Sequence, residues 1–219
     1  MADETDIYNS SDPGGGGGGG NNFFHVNYSI RNNTLIDYDD NKIKTAFPNL
    51  GYGGFFVGEE INLNGKSKID FQIRYYTNDS TTPGRNKPII SYKGRNSNFE
   101  YGKLFTIFHD VTSGVIDIET SGTQTGFFTA HSINNKPANN SYKIKVNVDL
   151  NTRAISAYVD DVFAFTDFLG SVPEYWQPGF FLTRYYDGSY PAYSYIHQDE
   201  YIDMENTYLK IDDVLYLGL

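Results

Sequence analysis

The chain has 219 residues, with 17 Lys and Arg against 27 Asp and Glu, a formal net charge of −10 and no cysteine. The missing thiols exclude a disulfide scaffold, a thiolate zinc site and cysteine catalysis. The acidic balance argues against a nucleic-acid surface and against an anionic membrane surface, since both require clustered Lys and Arg.

Residues 1–22 are polar and run into seven consecutive glycines, Gly14 to Gly20. Such a run loses much backbone entropy on ordering and offers no side chains to pack, so it reads as a flexible arm. The alternative is an arm threaded along a neighbouring subunit, where only glycine lets backbones approach. The opening Met-Ala-Asp-Glu-Thr-Asp lacks the basic start and apolar run of a secretory signal. No stretch approaches the roughly 18 apolar residues of a membrane span. Synthesis in the cytoplasm without a signal peptide, and no membrane insertion, are the expectations. Residues 23–219 read as one β-domain, a size all-β sandwiches commonly reach.

The body of the chain carries strand signals and no long segment of period near 3.6. Apolar residues alternate in Phe24, Val26, Tyr28, Ile30, in Ile69, Phe71, Ile73, Tyr75, and in Tyr142, Ile144, Val146, Val148. Basic and polar residues occupy the intervening positions, the pattern of antiparallel sheets with one wet face. Further strands are predicted at 55–57, 87–92, 103–109, 114–120, 126–131, 154–159, 162–166, 179–186, 192–197 and 208–217. Turn residues separate them, among them Asn64-Gly65, Ser113-Gly114, Asp160-Asp161 and Asp187-Gly188. The expected fold is all-β, a two-sheet antiparallel β-sandwich.

Three segments in order carry a resemblance. Ile61-Asn62-Leu63 leads to the amphipathic run Lys68–Tyr75. Tyr142–Asp149 is followed by Arg153-Ala154-Ile155-Ser156-Ala157-Tyr158-Val159-Asp160-Asp161. Leu209-Lys210-Ile211-Asp212-Asp213-Val214-Leu215-Tyr216 closes the chain. Together they resemble the concanavalin-like, laminin-G-like jelly roll, with Asp161 where that family usually has glycine, which loosens the expected turn. The resemblance implies two curved sheets of about six or seven strands each. The family includes lectins, glycan-binding modules, glycosidases and viral or bacterial surface modules, and fold alone does not choose among them.

One concanavalin-like glycosidase family sets its carboxylates on one strand as Glu-x-Asp-x-Glu. Here Tyr201-Ile202-Asp203-Met204-Glu205 keeps two of the three positions and puts Tyr201 in the nucleophile's place, so it reads as coincidence. Five tyrosines crowd into positions 185–195, and the only tryptophan, Trp176, precedes them. Trp176, Arg184, Tyr186, Asp187 and Tyr190 are the candidate contacts to a glycan or a protein partner, since aromatic planes stack on sugar faces and Tyr, Trp and Arg dominate interfaces; packing within a strand is the alternative. Asp149, Asp160, Asp161, Asp212 and Asp213 are hard oxygen ligands. No cofactor is expected; structural calcium is the one alternative these leave open, and turn formation is their other reading. The histidines are scattered, with no zinc spacing.

The function expected on these grounds is a non-enzymatic glycan-recognition or adhesion module on a larger assembly. The cysteine-free composition and the glycine-rich arm suggest a phage head or tail appendage, hence virion-associated and a homo-oligomer. Its partners are a glycan or neighbouring virion subunits. The alternatives are a purely structural virion protein that decorates or cements a capsid, and a concanavalin-like glycosidase or lyase.

Overall fold

The computed structural model describes residues 34–37, 41–45, 54–56, 61–77, 87–95, 104–110, 113–121, 128–181 and 201–218, and all of its regular elements are strands. In chain order they are β1 (Thr34–Asp37), β2 (Lys42–Thr45), β3 (Gly54–Phe56), β4 (Ile61–Asn62), β5 (Lys68–Thr77), β6 (Lys87–Arg95), β7 (Phe105–Asp110) and β8 (Val115–Ser121). They continue as β9 (Phe128–Ile133), β10 (Asn140–Asp149), β11 (Ala154–Val159), β12 (Val162–Phe168), β13 (Tyr175–Phe181), β14 (Tyr201–Ile211) and β15 (Val214–Leu217). One sheet has eight strands, ordered β1-β2-β14-β5-β10-β11-β12 with β15 beside β14. The other has seven, ordered β3-β13-β6-β7-β8-β9 with β4 beside β13. Every pairing is antiparallel.

The alternation read from the sequence sets which face is buried. Ile69, Phe71 and Ile73 of β5 are fully buried and lie opposite Val148, Val146 and Ile144 of β10. Leu209 and Ile211 of β14 pair with Phe71 and Ile69 on the other side. The second sheet answers with Phe105, Ile107, Ile116, Ile118 and Trp176. Phe71 meets Phe105 across the interface at 5.6 Å between ring centroids, and Phe105 meets Trp176 at 5.5 Å. Each such side chain contributes roughly 1.5–3 kcal/mol by leaving water.

Two Asp-Asp hairpin turns shape the eight-stranded sheet. Asp160 and Asp161, and again Asp212 and Asp213, have positive φ of 52°, 64°, 49° and 67°. Two-residue hairpins of type I′ require that geometry at both central positions, and Asp tolerates it better than most residues. The turn at Asp161 therefore forms without the glycine. Asp212 Oδ1 accepts from Ser67 N at 2.9 Å, Ser67 Oγ at 2.5 Å and Lys68 N at 3.0 Å. Asp160 Oδ1 accepts from Lys143 N at 3.0 Å. Each hairpin is thus pinned to its neighbour.

The strand predicted over 208–217 is instead two, β14 and β15, folded back at Asp212-Asp213. The β1–β2 hairpin was absent from the sequence reading. The arm, the boundary at residue 22 and the strands predicted at 23–30 and 192–197 lie outside the described residues.

Candidate active site

The outward face of the seven-stranded sheet collects side chains that the core does not use. On β7, Phe105 and Ile107 point inward, so Thr106 and Phe108 point out. On β8, Ile116 and Ile118 point inward, and Asp117 and Glu119 point out. Register sets Thr106 opposite Glu119, Phe108 opposite Asp117, and Asp117 opposite Ser132 of β9. Thr106 Oγ1 donates to Glu119 Oε2 at 3.2 Å, and Ser132 Oγ donates to Asp117 Oδ1 at 2.5 Å. Thr106 itself is fully buried, while Phe108, Asp117 and Glu119 on the same face are partly exposed. Both carboxylates are half-buried. Lying two residues apart, their Cα atoms are separated by roughly 7 Å along one strand. Nearer the sheet's other edge, β6 sets Lys93 opposite Gln177 and Arg95 opposite Tyr175 of β13. The face therefore brings together two hydroxyl-held carboxylates, able to move protons at a bound substrate.

Sequence reasoning missed Asp117 and Glu119, although a signal exists. Val115-Ile116-Asp117-Ile118-Glu119 has the same Asp-x-Glu spacing as Asp203 and Glu205, on a strand in mid-chain. Val115 fills the first carboxylate position. In β14, by contrast, Asp203 serves a bulge. Its Oδ1 accepts from Glu205 N at 3.1 Å and its Oδ2 from Asn206 Nδ2 at 2.9 Å, and the pairing with β5 slips between Asp203 and Tyr208.

Two histidines are placed. His109 is fully buried between the sheets. Its Nε2 lies 2.7 Å from Lys136 O and its Nδ1 3.0 Å from the Tyr75 hydroxyl. A carbonyl only accepts, so Nε2 carries the proton and Tyr75 donates to Nδ1. Burial holds the Tyr75 hydroxyl well above its ordinary range. Sealed in the core, this pair has no access to a polymer. His131 of β9 is half-buried, with Nε2 2.9 Å from Asp167 Oδ2 of β12 and its ring stacked on Phe165 at 3.7 Å. This pair bridges edge strands of the two sheets.

Of the residues expected to touch a glycan or partner, Trp176 is corrected. It is 0% exposed and packs on Phe105, so neither ring face is presented to a ligand. Arg184, Tyr186, Asp187 and Tyr190 lie outside the described residues. The aspartates weighed as calcium ligands are occupied as turn formers. Asp149 Oδ1 accepts from Asn151 N and Thr152 N, both at 2.9 Å, which holds its carboxyl below the usual range, with Thr152 as the larger cause. Asp160 and Asp161 meet Lys136 and Lys143 at 2.6 and 2.5 Å. Among the described residues no group of three or more His, Asp or Glu could hold a metal ion.

In fold the chain is similar to alginate lyase A1-II′, a member of polysaccharide lyase family 7, with a TM-score of 0.55 and 8% identity over 86% of this chain and 83% of that one. An alginate lyase from Pseudomonas aeruginosa gives 0.56 and 10% over 83% and 86%. A heptameric pentraxin from Limulus polyphemus gives 0.50 and 11% over 81% and 77%. No family model and no curated protein matches the chain. At these identities the likeness is one of fold, and it bears out the all-β, concanavalin-like jelly roll. The expectation of a non-enzymatic module is corrected. Its aromatic anchor is a core residue, and the recurring structural neighbours are alginate lyases.

Proposed function

We propose that this chain is a polysaccharide-cleaving enzyme whose acid–base groups are Asp117 and Glu119, with eliminative cleavage of a uronate polymer as its reaction. The observation that carries the reading is the pair of hydroxyl-held carboxylates on the outward face of β8, in a fold similar to that of alginate lyases. Elimination needs a base at the carbon beside the uronate carboxyl and a proton for the departing glycosidic oxygen. The Thr106 and Ser132 hydroxyls donate to the two carboxylates and fix their orientation on the face. In this scheme Glu119 takes the proton from that carbon, the carbon–carbon double bond forms as the bond to the glycosidic oxygen breaks, and the protonated Glu119 carboxyl returns its proton to the departing oxygen; Asp117, one strand repeat away, faces the same bound sugar.

Hydrolysis is the second reading, and the carboxylate pair itself favours it, because a glycosidase works with two such groups flanking the scissile bond. One experiment separates them. Purified full-length chain is incubated with alginate, other polyuronates and neutral glucans. Both reactions release reducing ends, and only elimination adds the ultraviolet absorbance of an unsaturated sugar. Glu119→Gln and Asp117→Asn are expected to lower turnover by about 100-fold or more. Wild-type chain that is folded and cleaves none of these polymers, or variants that cleave at full rate, would refute the proposal.

A phage-particle setting and homo-oligomeric assembly rest on the glycine run and the cysteine-free composition. Light scattering on the full chain reads the second.

A further inference from the structure

The opposite face of the sandwich, the outward side of the eight-stranded sheet, gathers cations that the acidic remainder of the chain lacks in number. Its strands present six described cations, Lys42, Lys68, Arg74, Lys143, Lys145 and Lys210, among four carboxylates, Asp70, Asp149, Asp203 and Glu205, with Asp161 and Asp213 at its hairpin turns. Several are paired: Lys68 with Asp213 at 2.8 Å, Arg74 with Asp203 at 3.8 Å, Lys143 with Asp161 at 2.5 Å. Lys145 has no ion-pair partner among the described residues. It stands in a row that crosses four strands, because register aligns Gln72 with Lys145, Lys145 with Tyr158, and Tyr158 with Phe163. Tyr158 and Phe163 meet edge-on at 5.7 Å, and Phe163 is 57% exposed. Directly beside this row, register aligns Asp203, Arg74 and Lys143. Four strands span roughly 15 Å, enough for a short oligosaccharide.

We propose that this row is an anchoring site for an anionic polysaccharide, separate from the face that carries Asp117 and Glu119. It deepens the catalytic reading and rests on it for the polymer's class. The chemistry matches a uronate chain. Lys145 meets a sugar carboxylate, the Gln72 amide oxygen, whose Nε2 partner donates to Asn206 O at 2.9 Å, accepts from a hydroxyl, and the aromatic planes of Tyr158 and Phe163 meet the C–H faces of sugar rings. Carboxylates interleaved among the cations suit a polymer with one charge per sugar better than the denser phosphates of nucleic acid. Binding here holds the enzyme on its polymer without entering the reaction.

The test is retention of the full chain in native gels cast with polyuronate or with a neutral glucan, plus a mobility shift with single-stranded DNA. Polyuronate is expected to retard the wild type more than neutral glucan, and less as salt rises. Lys145→Glu and Phe163→Ala should each weaken the apparent affinity several-fold, about tenfold for the charge reversal, while cleavage of short oligosaccharides is unchanged. Lys145→Arg should retain binding. Equal retention of Lys145→Glu, equal retardation by neutral glucan, or tighter binding to the DNA would overturn the proposal. Glu119→Gln keeps the two readings apart. Retention without cleavage in the wild type would sink the catalytic assignment alone. Cleavage with retention indifferent to Lys145 would sink the anchoring site alone.

Discussion

Replacing Trp176 decides whether the chain's only tryptophan is a contact residue or core. The indole is 0% exposed between the sheets, and its Nε1–H is buried with no acceptor among the described residues. Trp176→Ala leaves a large hole and should cost about 3–5 kcal/mol. For a domain of this size each kcal/mol lowers Tm by about 2–4 °C, so a fall of about 6–20 °C is expected. Trp176→Phe is a sharper test. It removes roughly 40 Å³, which at about 24 cal/mol per Å³ costs about 1 kcal/mol. It also removes a buried donor that has no partner, which returns about 1 kcal/mol or more. The two nearly cancel, and Tm should move by less than about 4 °C. Circular dichroism is the suitable probe, because the fluorescent side chain leaves with the substitution. Trp176→Ala costing under about 1 kcal/mol, or Trp176→Phe costing as much as Trp176→Ala, would refute the placement in the core.

Tyr75→Phe removes the hydroxyl that donates to His109 Nδ1 at 3.0 Å in a fully buried site, and should cost about 1–3 kcal/mol by urea titration at neutral pH. Burial raises the folded Tyr75 pKa above its ordinary 10.0, so its contribution is complete below that pH and is lost as pH rises through the folded value. The gap between wild type and Tyr75→Phe should therefore narrow in alkali, and a constant gap would contradict the burial. Asp212 has the opposite sign. Hydrogen bonds from the Ser67 hydroxyl, the Ser67 amide and the Lys68 amide hold its carboxyl below the ordinary 3.8. Its contribution is complete above that pH and is lost as pH falls through the lower, folded value. Asp212→Asn should be less stable than wild type near neutrality and lose less on acidification, which urea midpoints at about pH 6 and about pH 3 would read. Parallel acid losses in the two proteins would count against the Ser67 contacts.

The core was legible because its rule is local. A period of two in Lys68–Tyr75 and Tyr142–Asp149 says which residues turn inward, and nothing in the fold overrides it. The Asp-Asp hairpins were half-legible. Their turn chemistry was recognised, yet Asp213 was read through as strand, because a left-handed Asp pair looks the same in sequence as two polar residues on a solvent face. The β1–β2 hairpin gave too weak a signal, four residues in each strand around Asn41, whose φ is 51°.

The candidate site was hidden for a different reason. Glu119 matters because Thr106 stands opposite it, and Asp117 because Ser132 does, and those pairings are set by registers between strands that alternation alone does not specify. The same Asp-x-Glu spacing occurs at Asp203 and Glu205, where beside a register slip Asp203 accepts from the Glu205 amide of its own strand and Glu205 Oε1 accepts from Asn41 Nδ2 at 2.9 Å. Identical spacing thus yields a structural bulge on one strand and two outward carboxylates on another. Trp176 misled in the same way. Tryptophan is common both at binding surfaces and in cores, and what assigns it here is the inward parity of β13, fixed by pairing Trp176 with Ile61 and Gly94. In a sandwich of this kind, the identity of a polar or aromatic residue proposes a chemistry, and the sheet register decides whether that chemistry meets solvent, a neighbouring carboxylate or the core.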